Sequence, residues 1–238
     1  MNAFHLISRW IFIILIPVLL LSGTIAWAFN SLWIYTNGFT KYEVSQTLGV
    51  PSSQLDKSAE ELIAYFNHPG QKYLDINVTY DNGMTAPLYD QADILHMKDV
   101  KGVLWMDYWL VLVSGAYVIL YLVVLFAGNQ SGKRRQLASG LKRGGVATGA
   151  LLGFLGIFAI TSFDWFFTTF HEIFFPQGNW QFPPGDHMIT LFPDGFWSDV
   201  TLLVGLVALG LAVIVWCIGF VWLRRIQKRG PVAEEPGL

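Results

Sequence analysis

The chain has 238 residues, of which 53% are hydrophobic and only 13% are charged, with a formal net charge of −2. So apolar a composition excludes an ordinary water-soluble domain, and no nucleic-acid signature accompanies the near-neutral charge. The one cysteine, Cys217, excludes an intramolecular disulfide.

Four stretches are long and apolar enough to cross roughly 30 Å of hydrocarbon: 10–29, 108–126, 146–163 and 200–223. The chain therefore reads as an all-α membrane protein with four transmembrane helices. Residues 1–29 hold the first. Ala26-Trp27-Ala28 has the small-residue look of a signal cleavage site, but the apolar run is longer than a signal core and Trp27 suits an interface anchor, so the segment is expected to stay.

Residues 30–107 are long enough for a small α+β extracytoplasmic domain. Residues 34–48 read as a helix continuing from the first span. Gly49-Val50-Pro51 breaks it, and 56–67 reads as a second helix stopped by Asn67-His68-Pro69-Gly70. Residues 74–80 alternate like a strand, Asp81-Asn82-Gly83 is a tight-turn signal, and 84–88 completes a hairpin. Asp90 then suits a helix N-cap, with Asp93 three residues on. Only Gly102 interrupts the pattern from there, so one helix is expected to run from 90 into the second span, 108–126.

A basic loop is expected over 127–145, holding Lys133, Arg134, Arg135, Lys142 and Arg143 and no acid. The third span, 146–163, is glycine-rich and the shortest. Residues 164–199 form an aromatic, proline-rich segment too apolar to float in water, expected at the interface or folded back as a re-entrant element. The fourth span, 200–223, leads into a tail, 224–238, that begins with Arg224, Arg225, Lys228 and Arg229 and reads as disordered beyond Arg229. With four spans, ten of the 15 Lys and Arg residues fall on one side and 15 of the 17 acids on the other. The positive-inside rule makes the basic side cytoplasmic, with both termini inside, and that face suits anionic membrane lipids.

Two histidines stand out. His96 lies before the second span, with Asp93 and Asp99 one turn to either side on a helix. His171 follows the third span, beside Glu172 and inside a run of phenylalanines. Both fall at the same membrane face, where proton chemistry at neutral pH points to imidazole. An exposed, ordinarily charged helix face would also account for His96. A titratable group among phenylalanines has fewer bland explanations. His187 could join the pair in a metal site, but no close His pair or HExxH run supports one, and no cofactor is expected. His68 and His5 read as structural, and Cys217 as a small side chain within a span. No nucleophile elbow is present, so an enzyme of this kind must activate water or a group of its substrate.

These residues carry a family resemblance. The runs His96-Met97-Lys98-Asp99-Val100-Lys101 and Phe170-His171-Glu172-Ile173-Phe174-Phe175 lead it, followed by Asn179-Trp180, Asp186, Ile189, Leu191-Phe192-Pro193 and Phe196-Trp197. Together they are similar to the bacterial four-span family of lipoprotein intramolecular transacylases, over most of the chain. The chain departs from that pattern at Asp93, where the family has Glu, and at Gln181-Phe182-Pro183-Pro184.

The resemblance implies an enzyme of the bacterial cytoplasmic membrane with its active site at the extracytoplasmic face. Its substrate would be a diacylglyceryl lipoprotein. One acyl chain would move from the glyceryl group to the amine of the lipidated N-terminal cysteine, giving the lyso form. His96 and His171 would be the catalytic pair. Asp93, Asp99 and Glu172 would orient them, and Phe170, Phe174, Asn179, Trp180 and Asp186 would position the substrate. Two other readings stay open: a non-catalytic membrane sensor or assembly factor, and a metal-dependent lipid hydrolase. No pattern in the chain sets an oligomeric state.

Overall fold

A computed structural model describes residues 3–127 and 131–228. Residues 128–130 and the tail from Arg229 lie outside the described residues. The helices are α1 (Ala3–Phe29), α2 (Leu32–Lys41), α3 (Val44–Leu48), α4 (Ser52–Asn67), α5 (Gln91–Ala127), α6 (Ser131–Thr161), α7 (Phe163–Phe174), α8 (His187–Leu191) and α9 (Asp194–Lys228). A two-stranded antiparallel sheet, β1 (Asn77–Thr79) and β2 (Thr85–Pro87), lies between α4 and α5. Helices α1, α5, α6 and α9 are long and apolar enough to cross a membrane.

The chain divides into two compact units. The first comprises residues 1–23, 110–155 and 205–238. Its core joins Phe12, Ile13 and Ile16 of α1 to Val118, Tyr121 and Leu125 of α5 and Leu137 of α6. Phe12 stacks on Tyr121 with ring centroids 4.4 Å apart. Close approach of helices explains Gly140, Gly144 and Gly145 of α6. A Cβ on Gly144 would stand 2.3 Å from Ile16, and one on Gly219 of α9 would stand 2.4 Å from the Lys142 nitrogen. Small residues at such crossings let backbones meet where lipid supplies no hydrophobic drive. Helix α6 also corrects an expectation. The basic stretch read as a loop over 127–145 is helical from Ser131, because Leu137 and Ala138 are buried in this core and its Lys, Arg, Gln, Leu and Ala are good helix formers.

The second unit comprises residues 24–109 and 156–204. The expected helix over 34–48 is here two helices. Glu43, at a left-handed φ of 53°, makes the corner between α2 and α3 and lets Val44 be fully buried. Helix α4 starts at Ser52, four residues before its expected start, and buries Leu55, Leu62, Tyr65 and Phe66. The hairpin turns at Asp81-Asn82-Gly83, with Gly83 at φ 80°, and pairs Val78 with Ala86. The absence of breakers after Asp90 has its expected result: α5 is one 37-residue helix. Lys101 on α5 is buried, and its ammonium donates to the carbonyls of Tyr65, His68 and Gln71 at 2.6–2.7 Å. It also lies 4.2 Å from the Tyr65 ring centroid. A single cation thus closes the C-terminal end of α4, where helix carbonyls lack partners.

Candidate active site

The site is built on the first turns of α5 and the last turn of α7, both in the second unit. Asp90 caps α5: its Oδ1 accepts from the backbone nitrogens of Ala92 and Asp93 at 2.7 and 3.0 Å, and Asp93 Oδ2 accepts from the Asp90 nitrogen at 3.0 Å. This reciprocal cap sets the helix phase, and with it the face shared by Asp93 and His96. Both are buried, 1% and 7% exposed.

On α7, His171 is 8% exposed. Its Nδ1 donates to the Phe167 carbonyl at 2.8 Å, one turn back on the same helix. A carbonyl can only accept, so the neutral ring carries its proton on Nδ1 and keeps its lone pair on Nε2. The two imidazoles converge. Their centroids lie 6.2 Å apart with the planes inclined by 24°. Aromatic rings enclose them: Phe175 and Phe182 lie 5.1 and 5.5 Å from His96, and Phe167 and Trp180 lie 4.0 and 4.9 Å from His171.

This burial suppresses protonation. The pKa of His96 is lowered to about 4, first by desolvation and then by the neighbouring His171, against the opposing pull of Asp99 and the Asn179 side chain. His171 is lowered too, by desolvation, with the Phe167 carbonyl opposing. Both rings are therefore neutral at pH 7, free to accept or donate a proton.

The acidic residues hydrogen-bond groups other than the histidine rings. Asp99 accepts from Gln177 Nε2 and Asn179 Nδ2, each at 2.8 Å, and so ties the 175–186 loop to α5. Asp93 stands beside Asp186, which itself caps α8 by accepting from the Met188 nitrogen at 2.8 Å. Desolvation, and then the nearby carboxylates of Asp186 and Asp90, raise the Asp93 pKa to about 7, against the pull of the Asp90 backbone hydrogen bond. Glu172 is exposed, and the polar partner of His171 is the Phe167 carbonyl instead. Phe170 touches His171 at 5.4 Å between centroids, and Phe174 stacks on Phe170 at 4.8 Å. His187 donates Nδ1 to the Leu88 carbonyl at 2.7 Å.

Three buried polar atoms lack a hydrogen-bond partner within the protein here: Asp93 Oδ1, His96 Nδ1 and Asn179 Oδ1. Such atoms are costly to bury unless something polar meets them. Gln177, Phe175 and Phe182 complete the site without having been singled out for it in the sequence. Gln177 lies 78 positions from its partner Asp99, and no local pattern signals such a pairing.

The fold around this pair has known counterparts. A sequence profile described as lipoprotein intramolecular transacylase Lit matches residues 10–197. The chain belongs to the Lit family. The solved structure of the membrane integral lipoprotein intramolecular transacylase Lit from Bacillus cereus superposes with a TM-score of 0.77, at 15% identity, covering 97% of this chain and all of that one. A histidine-to-alanine variant of the same protein gives 0.71 at 14% identity, covering 93% of this chain and 94% of that one. An uncharacterised protein of Aquifex aeolicus is 30% identical over 86 residues, which is 36% of this chain and 40% of the relative, so the match spans about two fifths of that relative's length. Membership places the chain in a family named for acyl transfer within lipoproteins, and the four-helix membrane fold is that of its solved members.

Proposed function

We propose that this protein is a membrane acyltransferase. It moves an acyl chain within a diacylglyceryl lipoprotein from the glyceryl group to the amine of the N-terminal cysteine. The observation that carries the reading is the convergence of His96 and His171, from helices α5 and α7, in a neutral, aromatic-walled site. The sequence match to the Lit family supports the substrate class. The substrate supplies both nucleophile and acyl donor, which fits a site without a serine or cysteine nucleophile.

In this reading the two rings share the work. The neutral α-amine attacks the ester carbonyl, and its proton passes to the Nε2 lone pair of His171. A ring N–H of His96 hydrogen-bonds the carbonyl oxygen as charge develops on it. Collapse breaks the acyl C–O bond, and the His171 imidazolium returns the proton to the glyceryl oxygen. The products are an amide on the cysteine and a free glyceryl hydroxyl, with no net proton gained or lost. The α-amine titrates near pH 8, so a useful neutral fraction exists at physiological pH. Holding amine and ester together in one molecule and one site supplies much of the rate through effective concentration. Phe170, Phe174 and Trp180 grip the apolar parts, and Asn179 and Asp186 hold the loop that carries Trp180.

In this reading both termini are cytoplasmic, residues 30–107 form an extracytoplasmic α+β domain, and the site lies at the outer face of the bacterial cytoplasmic membrane. Single cysteines at Asn82 and Lys133, in a chain freed of Cys217, should label from opposite sides; labelling from one side defeats the topology. The activity is tested by co-expressing the chain with a reporter lipoprotein and reading its N-terminus by mass spectrometry. The lyso form is expected. Persistence of the diacyl form with a free amine, in cells where the chain is present and folded, defeats the proposal.

A further inference from the structure

Acyl transfer to an amine has a proton to dispose of. The α-amine titrates near pH 8, so at neutral pH most of it is ammonium. An ammonium and an ester become an amide, an alcohol and one surplus proton. The neutral-amine transfer described above balances by itself, so the surplus proton must leave before the attack. His96 and His171 are 7% and 8% exposed, and burial holds both below the usual histidine value, so neither stores a proton at pH 7.

A carboxyl one turn away is built to take it. Asp93 lies three residues before His96 on α5, a spacing that sets Cβ atoms about 5–6 Å apart on one helix face. Asp93 is 1% exposed. Its Oδ2 accepts from the Asp90 nitrogen at 3.0 Å, and its buried Oδ1 has no donor among the described residues. The Asp186 carboxyl lies within hydrogen-bond reach of it. Carboxylates only accept, so two of them facing one another repel until a proton sits between them, and that proton supplies the donor the buried oxygen lacks. Asp186 is half-buried at the start of α8, where its Oδ1 accepts from the Met188 nitrogen at 2.8 Å. The pair therefore joins a buried oxygen beside the histidine site to a carboxyl that meets water.

The groups facing Asp93 keep this oxygen receptive. Asp186 and Asp90 are acids, and the Tyr89 phenol is kept protonated by its burial first and then by Asp93. Desolvation and these acids hold Asp93 at about 7, close below the α-amine, so a proton passes between them at little cost.

We propose that Asp93 and Asp186 form the proton exit of the acyltransferase. The proposal rests on the acyl-transfer reading above. The substrate amine arrives as ammonium. One N–H bond breaks, an O–H bond forms on the Asp93 carboxylate, and the nitrogen lone pair is freed to attack. Asp93 then hands the proton to Asp186, which releases it to water and leaves the pair empty for the next turnover.

The test follows kcat/KM for conversion of a synthetic diacylglyceryl lipopeptide by the full chain in phosphatidylcholine bilayer discs, read by mass spectrometry across pH. The wild type should show an acid limb near 7, set by Asp93. In Asp93→Asn only amine already neutral is used, so the limb should move up to about 8, with kcat/KM about tenfold lower at pH 6.5 and within twofold of wild type at pH 9.5. Asp93→Glu restores an acceptor and should bring the limb back below 8. Asp186→Asn keeps the α8 cap but removes a charge that raises Asp93, so its limb should move below that of wild type. That opposite displacement carries the test alone if Asp93→Asn does not fold. A loss in Asp93→Asn of the same factor at every pH is a packing role and overturns the proposal. A limb left in place by Asp93→Asn or by Asp186→Asn overturns it too, while an active wild type leaves the acyl-transfer reading standing. A folded wild type that forms no lyso product at any pH overturns that reading and the proton exit together.

Discussion

The two units bury different kinds of polar group. In the first, the buried polar residues among those described are Ser22, Ser114 and Thr148. Ser114 and Thr148 return their hydroxyls to carbonyls of their own helices, Leu110 and Gly144. In the second, the buried polar set includes Asp93, His96, Lys101, Asp107 and His171. Every buried Asp, His and Lys among the described residues belongs to the second unit. The contrast follows from cost. A hydroxyl satisfied by its own helix is cheap to bury in lipid or protein, whereas a titratable group needs a partner, a neutral form or a task. The first unit is therefore a packing device, held by glycine-mediated helix contacts, and the second combines packing with chemistry.

The largest effect expected from breaking this contrast is on turnover. His171→Ala and His96→Ala should each lower conversion to the lyso form by about 10²–10⁴-fold, the usual span for a proton-transferring group. His68→Ala, whose side chain lies outside the site, should stay near wild type in the same mass-spectrometric assay. Comparable losses in all three variants remove the special standing of the pair. The pH profile sharpens the point. Activity needs neutral rings, so it falls on acidification as each ring is protonated. With the His96 pKa at about 4 and that of His171 also lowered, the imidazole-dependent acid limb of single-turnover kcat lies below the usual histidine value of about 6.5. An imidazole-dependent limb at or above that value contradicts the buried, neutral pair.

Next in size is the loop anchor. Asp99→Asn or Asn179→Ala should cost about 10²-fold in kcat through misplacement of Trp180 and Phe182, with the fold intact by circular dichroism. Unchanged kcat with raised KM would assign the anchor to binding alone.

Stability tests then separate the units. Lys101→Met strands three carbonyls, one buried and two part-buried, and should cost about 3 kcal/mol, read as a lowered thermal midpoint in detergent. Gly144→Ala in the first unit drives a methyl into Ile16 and should cost about 1–3 kcal/mol. The last effect concerns Asp93 and is read as a pH dependence. Its folded pKa of about 7 exceeds the unfolded value near 3.9, so the folded state holds the extra proton between those values. Wild-type stability from this group is present below about pH 4 and is lost as pH rises toward 7. Asp93→Asn mimics the protonated carboxyl and should flatten that dependence, gaining on wild type as pH rises. A variant that instead loses ground at pH 8 shows that the charged carboxylate is the form the fold prefers.

Much of this was legible along the chain. Hydropathy alone marks four spans, because roughly 30 Å of hydrocarbon demands a long uninterrupted apolar run. The unbroken α5, the cap at Asp90 and the turn at Asp81-Asn82-Gly83 are local patterns, and local physics makes them. The histidines were visible as titratable groups in odd company. What the tertiary structure decided is everything that joins residues far apart in sequence. The helicity of 131–145 depends on Leu137 joining Phe12 and Ile16 of α1 in one core and on the burial of Ala138, and the corner at Glu43 on burying Val44. Asp99 sits one turn from His96, as spacing requires, yet its carboxylate serves Gln177 and Asn179, 78 and 80 positions away. The proton on Nδ1 of His171 is set by the Phe167 carbonyl, although Glu172 is the adjacent acid. Helical periodicity sets which face a side chain takes, but not which partner it meets there, since that choice is made by contacts whose sequence separation leaves no local trace.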